Sequence, residues 1–204
     1  MKLPIDEVRV TRVGRVGLRH DANSFEFPPS WRPSIEAHWI RRIAELPRLF
    51  NGTIHVTIGH RIADGALAGT CQPMAFKDFL YWRDSGRNPE GFVDGFGSAV
   101  VLSREGHILL GRASRHTINA GTAYFIGGFI DTRDRTPSGT IDIDGSIERE
   151  LREEAGLEAA ALRRDPGYVI AEEGRILCMA IVYRSGETAE VLCRQMLQHA
   201  EAAS

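Results

Sequence analysis

Three glutamates are crowded into five consecutive positions of this chain. They are Glu150, Glu153 and Glu154, within segment 149–157, which reads Arg-Glu-Leu-Arg-Glu-Glu-Ala-Gly-Leu. If the segment is helical, the three carboxylates stand at positions i, i+3 and i+4 and project from one side. Carboxylates crowded on one side repel each other, and a divalent cation that prefers oxygen ligands, such as Mg²⁺ or Mn²⁺, would remove that cost. The spacing therefore indicates a metal site of the kind that works on phosphates.

The residues around the glutamates predict an amphipathic helix. Asp144 or Ser146 can cap its start, and Gly156 suits the left-handed position that ends a helix. An apolar stripe at spacing i, i+4 and i+8 is expected to face the core, and it consists of Ile147, Leu151 and Ala155. Arg149 lies four residues before Glu153 and can neutralise or orient it. The alternative interpretation of the same charges is an ordinary solvated surface with ion pairs.

Residues upstream of this helix favour the metal-site interpretation. The pair Gly127-Gly128 follows the apolar segment 124–126, and Asp131 lies three residues further on. Together with the pattern Arg-Glu-apolar-x-Glu-Glu-x-Gly-apolar of segment 149–157, this arrangement resembles the Nudix box. The resemblance covers about the C-terminal half of the chain, from Asp94 onward.

The Nudix resemblance implies a fold, a metal and a reaction. The implied fold class is α/β, as an α/β/α sandwich with a mixed sheet. The implied ligands of Mg²⁺ or Mn²⁺ are Glu150, Glu153, Glu154 and the carbonyl of Gly127. The implied reaction is hydrolysis of a nucleoside diphosphate linked to another moiety, such as a sugar. Glu153 is expected to have additional general-base character, and Arg149 is expected to hold the helix and its carboxylates in place.

The chain departs from the Nudix pattern in three ways. Ile141 stands eight residues before the arginine, where the box has a glutamate, and Ile126 replaces a proline that often precedes the double glycine. The spacing from Gly128 to Arg149 is also longer, so that segment 132–140 looks like an insertion. These departures keep an alternative function open: a Nudix-fold nucleotide-binding or regulatory module that does not turn its ligand over.

Residues outside the box are candidates for completing the site. Glu172 and Glu173 are candidate carboxylates, although their position in a hairpin turn also fits a solvated role. Arg112, Arg115 and His116 lie in a loop before the double glycine. Arginine suits bidentate recognition of phosphate, so these three are the predicted substrate-binding residues, with plain surface positions as the alternative.

The composition limits the classes of partner. The chain has 204 residues, 43% hydrophobic and 25% charged, as is ordinary for a globular protein. Its net charge of −2 provides no electrostatic basis for binding a nucleic acid polymer. No apolar run reaches membrane-spanning length, and the start Met1-Lys2-Leu3-Pro4 lacks a signal-peptide core. Three cysteines without metal spacing are typical of reduced thiols, so we expect a cytoplasmic protein.

A polar, turn-rich stretch at 83–90 predicts two parts: an α+β N-terminal extension, 1–90, and a Nudix domain, 91–204. In the extension the patterns predict a strand at 7–18, a helix at 34–46, a strand at 53–58 after Asn51-Gly52, and a short helix from Phe76. Asn51-Gly52 and segment 76–81 are also similar to a Nudix group with long N-terminal extensions associated with UDP-sugars. Specificity or a homodimer surface is the expected contribution of the extension.

The second half contains two predicted hairpins. One joins 98–102 to 107–110 and the other joins 168–171 to 175–183. A strand at 123–126 is expected to lead into the double glycine. Apolar residues at helical spacing predict that an amphipathic helix begins near Ala189 and continues towards the end of the sequence.

Overall fold

A computed structural model describes residues 8–87 and 91–202, and these residues form a mixed α/β fold, which is the predicted class. Within them the chain has four α-helices: α1 (Arg32–Glu45), α2 (Phe76–Asp84), α3 (Ile143–Ala155) and α4 (Ala189–Ala202). The strands of the described residues are β1 (Arg9–Val13), β2 (Arg15–His20), β3 (Thr53–Ala63), β4 (Ala66–Ala75), β5 (Asp94–Leu102), β6 (Ile108–Leu109), β7 (Gly111–Arg112), β8 (Ala123–Tyr124), β9 (Ile126–Phe129), β10 (Thr140–Ile141), β11 (Arg163–Arg164), β12 (Tyr168–Glu173) and β13 (Ile176–Arg184). Single 3₁₀ turns occur at Pro29–Trp31, Thr132–Asp134 and Ala159–Ala161.

The larger sheet is mixed and has seven strands among the described residues. Its main order is β1-β12-β13-β5-β6, with β9 paired to β5 and β11 paired to β13. The strands β13 and β5 run parallel, and the other pairs are antiparallel. Both predicted hairpins are confirmed, as β5–β6 and β12–β13.

The smaller sheet has the order β10-β2-β4-β3 within the described part of the chain. Three of its strands come from the N-terminal half, and β10 comes from segment 132–141. The prediction of one strand over 7–18 is wrong, because the strand is interrupted at Gly14, and β1 and β2 belong to different sheets. The two predicted parts therefore share strands: β1 pairs with β12, and β10 pairs with β2. The connection at 83–90 falls partly outside the described residues.

The predicted helices of the N-terminal half are confirmed as α1 and α2. α1 has a proline in its first turn and ends at Glu45, before Pro47. In α2, Phe79 and Trp82 are fully buried, and the ring of Trp82 packs on Phe92 with centroids 4.3 Å apart. Trp82 is therefore a core anchor, and the aromatic side chains hold α2 in place.

The glutamate helix α3 lies directly on the larger sheet. A Cβ atom on Gly97 of β5 would come within 2.6 Å of Ile147, so the absence of a side chain allows this close approach. Ile147, Leu151 and Ala155 are all buried, as the predicted apolar stripe requires. The predicted C-terminal helix is confirmed as α4, where His199 Nε2 lies 2.8 Å from the carbonyl oxygen of Glu153. Both contacts fix the orientation of α3.

No helix among the described residues is long and apolar enough to cross a membrane. Residues 1–4, on which the expectation about a signal peptide rests, lie outside the described residues. The three cysteines are free thiols.

Candidate metal centre

The helix α3 is held at both ends by local hydrogen bonds. Its N-cap is Asp142, whose Oδ1 accepts a hydrogen bond from the backbone N–H of Gly145 at 3.0 Å. The prediction that Asp144 or Ser146 caps the helix is wrong, because both residues lie inside its first turn. At the other end Gly156 has φ 64°, the left-handed conformation predicted for it.

Two of the three glutamates turn towards the strand that carries the double glycine. Glu150 and Glu154 are half-buried, whereas the side chain of Glu153 is 46% exposed. Glu154 accepts hydrogen bonds from the backbone N–H of Gly127 at 3.3 Å and from the Tyr124 hydroxyl at 3.4 Å. The structure therefore brings Gly127 and Glu154 together, and it is the N–H of Gly127, not the carbonyl predicted as a ligand, that makes this contact.

The second glycine makes room for Glu150. A Cβ atom on Gly128 would lie 2.6 Å from Oε2 of Glu150 and equally close to its carboxyl carbon. Any side chain at Gly128 would therefore occupy the position of this carboxylate. The double glycine and the glutamates of α3 form one site, although more than 20 residues separate them in the sequence.

Arg149 is the centre of an ion-pair network at this site. Its Nη1 lies 2.5 Å from Oε1 of Glu150 and its Nη2 lies 2.7 Å from Oδ1 of Asp134. The predicted pairing with Glu153 is looser, at 3.7 Å. Arg149 thus holds the carboxylate of Glu150 directly, as its predicted role requires.

Segment 132–140 adds a second arginine beside the glutamates. Arg133 pairs with Asp131 at 2.7 Å, and its Nη1 lies 3.4 Å from Oε1 of Glu153. Asp134 and Arg133 were missed from the sequence, because no periodicity or motif in this segment indicates where its side chains point. Two arginines therefore provide the positive charge that faces the acidic side of α3.

Despite this positive charge, burial disfavours the ionised form of two of the glutamates. Burial raises the pKa of Glu154 to about 7, against the hydrogen bond from Gly127 and with a contribution from the nearby Glu150 carboxylate. Burial also raises the pKa of Glu150, although the guanidinium of Arg149 opposes the shift. Burial therefore disfavours the ionised form of both carboxylates, and a cation bound to them would favour it.

The donor atoms suit a hard divalent cation. They would be carboxylate oxygens and the carbonyl oxygen of Gly127, and oxygen ligands are what Mg²⁺ and Mn²⁺ prefer. Within residues 8–87 and 91–202, no three His, Cys, Asp or Glu side chains already stand in a geometry that could hold a metal. The carboxylates of Glu150 and Glu153 face arginines instead.

The predicted substrate residues lie on a neighbouring hairpin. Arg112 is in β7, which pairs with β8, and Arg115 and His116 are exposed in the loop that joins these strands. The same hairpin carries Tyr124, whose hydroxyl reaches Glu154. Arg83 anchors the loop, because its guanidinium donates to Asn119 at 3.1 Å and to the carbonyl of Ile118 at 3.2 Å. The hairpin therefore borders the glutamates on the side of Glu154.

Two positions outside the helix have structural roles. Ile141, where the Nudix box has a glutamate, is 6% exposed, pairs with Leu18 across the smaller sheet and packs in the core. The candidate Glu172 lies 3.1 Å from Nε2 of His60 and forms an ion pair with it if that imidazole is protonated.

Comparison with known proteins leaves the family open. No protein-family model matches this chain, and no curated protein matches it either.

Proposed function

We propose that this chain is a Mg²⁺- or Mn²⁺-dependent pyrophosphohydrolase of the Nudix type. The observation that carries the proposal is the position of Glu150 and Glu154. Both carboxylates are half-buried against the strand of Gly127-Gly128, and burial raises the pKa of both. Further support comes from α3 itself, which lies on a mixed sheet and has the residue pattern of the Nudix box. The proposal includes the Nudix-type α/β/α sandwich as the fold.

The residues of this chain would then have distinct roles. Glu150, Glu153, Glu154 and the carbonyl of Gly127 would hold the cation, which when bound neutralises phosphate charge and lowers the pKa of a water molecule. Arg149 fixes the carboxylate of Glu150. Glu153 is the most exposed of the three glutamates, so it is best placed to accept a proton from water arriving from solvent.

The proposed substrate is a nucleoside diphosphate linked to another moiety, with nucleotide sugars included. Arg112, Arg115 and His116 are exposed on the hairpin beside Glu154, and guanidinium groups there would contact phosphate oxygens bidentately. The Nudix resemblance implies that the hydrolysed bond is the anhydride between the two phosphates. The nucleoside and the second moiety would be recognised by other loops.

The alternative is a Nudix-fold module that binds a nucleotide without hydrolysing it. Ile141 favours this alternative, because an apolar core residue stands where the Nudix box has a carboxylate. The pattern of segment 149–157 is complete, however, and therefore favours the enzyme.

Measurement of phosphate or nucleotide release tests the proposal. A panel of nucleoside diphosphate derivatives is incubated with the protein, with and without Mg²⁺ or Mn²⁺. We expect metal-dependent hydrolysis of at least one compound, and a loss of about 10²–10⁴-fold in kcat for Glu153→Gln, as for removal of a general base. Glu148→Gln is the matched control, since Glu148 is exposed on the same helix outside the cluster.

Each outcome separates the alternatives. If nucleotides bind but no diphosphate is hydrolysed with either metal, the enzyme proposal is wrong and the binding module is favoured. If hydrolysis occurs and Glu153→Gln behaves like Glu148→Gln, the role given to Glu153 is wrong.

A further inference from the structure

We infer that Asp134 is a positioning residue of the proposed metal site, and that the N-terminal strands serve that site by holding the loop that carries it. The inference rests on the proposed function. It concerns the segment 131–142, of which 132–140 looks like an insertion relative to the usual spacing of the Nudix box. The evidence is the burial of Asp134, the partners of its two carboxylate oxygens and the way in which the loop is attached.

Asp134 is a buried carboxylate with two fixed partners. Its side chain is 3% exposed. Oδ1 accepts a hydrogen bond from Nη2 of Arg149 at 2.7 Å, and Oδ2 accepts one from the backbone N–H of Asp131 at 2.8 Å. A buried carboxylate needs such partners, because an unpaired charge in the interior is costly. Each carboxylate oxygen of Asp134 therefore accepts a hydrogen bond, and the two bonds together fix the orientation of the carboxylate.

The contact continues from Asp134 through Arg149 to Glu150. The guanidinium of Arg149 donates a hydrogen bond from Nη2 to Asp134 and one from Nη1 to Glu150. The two carboxylates therefore fix its orientation. Glu150 in turn lies against Gly128, the position proposed for metal binding. Asp134 also balances the charge of Arg149, which would otherwise pair more strongly with Glu150 and Glu153 and compete with a cation.

The N-terminal strands hold this loop at both ends. At its start, Ile54 of β3 forms a bridge with Asp131, and the N–H of His55 donates to the carbonyl of Ile130 at 2.8 Å. At its end, β10 pairs with β2 and thereby forms the edge of the smaller sheet. The core position of Ile141 belongs to this attachment. The N-terminal half therefore determines where Asp134 stands.

Asp134→Asn tests the inference with little change of shape. An amide has one oxygen and one NH₂ group, so it can accept from only one of the two donors and its NH₂ faces the other. We expect the variant to fold and to bind Mn²⁺ about 10–100-fold more weakly than the natural protein, the usual effect of losing a group that orients a ligand. Affinity is measured by calorimetry or from the free Mn²⁺ signal in electron paramagnetic resonance.

Asp142→Asn is the matched control. Asp142 lies in the same loop and the substitution removes the same charge, but asparagine caps a helix as well as aspartate does. We expect unchanged Mn²⁺ affinity. Arg149→Gln and the double variant provide a second test: if Asp134 acts through Arg149, adding Asp134→Asn to Arg149→Gln causes no further loss of affinity.

Three results would overturn the inference. If the natural protein does not bind Mn²⁺, the proposed function fails and this inference fails with it. If the natural protein binds Mn²⁺ and Asp134→Asn binds it equally well, only the inference fails. If Asp134→Asn lowers affinity by the same factor with and without Arg149, then Asp134 supports the loop but does not position Arg149.

Discussion

Replacing Gly128 by alanine is the sharpest test of the geometry proposed for the metal centre. The added Cβ atom would stand 2.6 Å from Oε2 of Glu150, whereas ordinary van der Waals contact begins near 3.4 Å. Gly128 does not have a positive φ, so the alanine backbone is unstrained. The clash falls on the end of a side chain, which can retreat. The substitution therefore moves one carboxylate while the sheet remains intact.

The size of the effect follows from this displacement. The Glu150 carboxylate must retreat by about 0.8 Å, and metal–ligand distances tolerate about 0.2 Å. We therefore expect Glu150 to be lost as a ligand. A misplacement of about 1 Å typically costs about 100-fold in rate, which corresponds to about 2.7 kcal/mol of transition-state stabilisation. Folding stability should change by less than about 1 kcal/mol, because alanine is more favourable than glycine in a strand, and this gain offsets the cost of displacing the carboxylate.

The assay combines kinetics with unfolding. kcat/KM is measured at increasing Mg²⁺ concentrations, and the free energy of unfolding is measured in urea, for Gly128→Ala and for Gly17→Ala. A Cβ atom on Gly17 would meet nothing within 4 Å, so this control should match the natural protein in both measurements. A Gly128→Ala protein with natural kcat/KM and natural Mg²⁺ dependence would refute the placement of Glu150 as a ligand.

Three further predictions concern packing, charge and pH. Gly97→Ala should destabilise folding by about 1–3 kcal/mol in urea titrations, because its Cβ would overlap Ile147 in the core; unchanged stability would contradict the packing of α3 on β5. Arg133→Ala should raise Mn²⁺ affinity about two- to fivefold in calorimetry, since a cation that competes for Glu153 is removed; weaker binding would instead make Arg133 a support of the site. His55 is 2% exposed, and burial, with the nearby His20, lowers its pKa to about 4. As the pH is lowered from about 6.5 to about 4, His55 is protonated in the unfolded chain but not in the folded one, so the free energy of unfolding falls by about 3 kcal/mol in all. His55→Leu should lack this part of the pH dependence measured in urea; a variant with the same pH profile as the natural protein would refute this role of His55.

Local signals predicted the helix that carries the glutamates. Its apolar stripe, its terminal Gly156 and the spacing of its acids are properties of neighbouring residues, and they need no partner from elsewhere. The cap was misassigned because Asp142, Asp144 and Ser146 all have side chains that can cap a helix. Which of them caps depends on where the preceding strand β10 ends.

Strands were predicted less completely, because their pairing is not local. Segment 7–18 has the composition of one strand, yet Gly14 divides it between two sheets. Strand β4 was not expected at all, since Gly69 and Pro73 weaken its strand propensity. It forms because β2 and β3 pair with it on either side.

The sequence by itself determined the chemical groups of the candidate site and their order along α3. Hydrophobic periodicity and side-chain spacing are sufficient for that, because a helix is formed by contacts within four residues. Only the tertiary structure decided that Asp134 and Arg133 meet the glutamates, and that Ile141 is a core residue. Those contacts depend on the N-terminal strands, which hold segment 131–142 from a distance of more than 75 residues in the sequence.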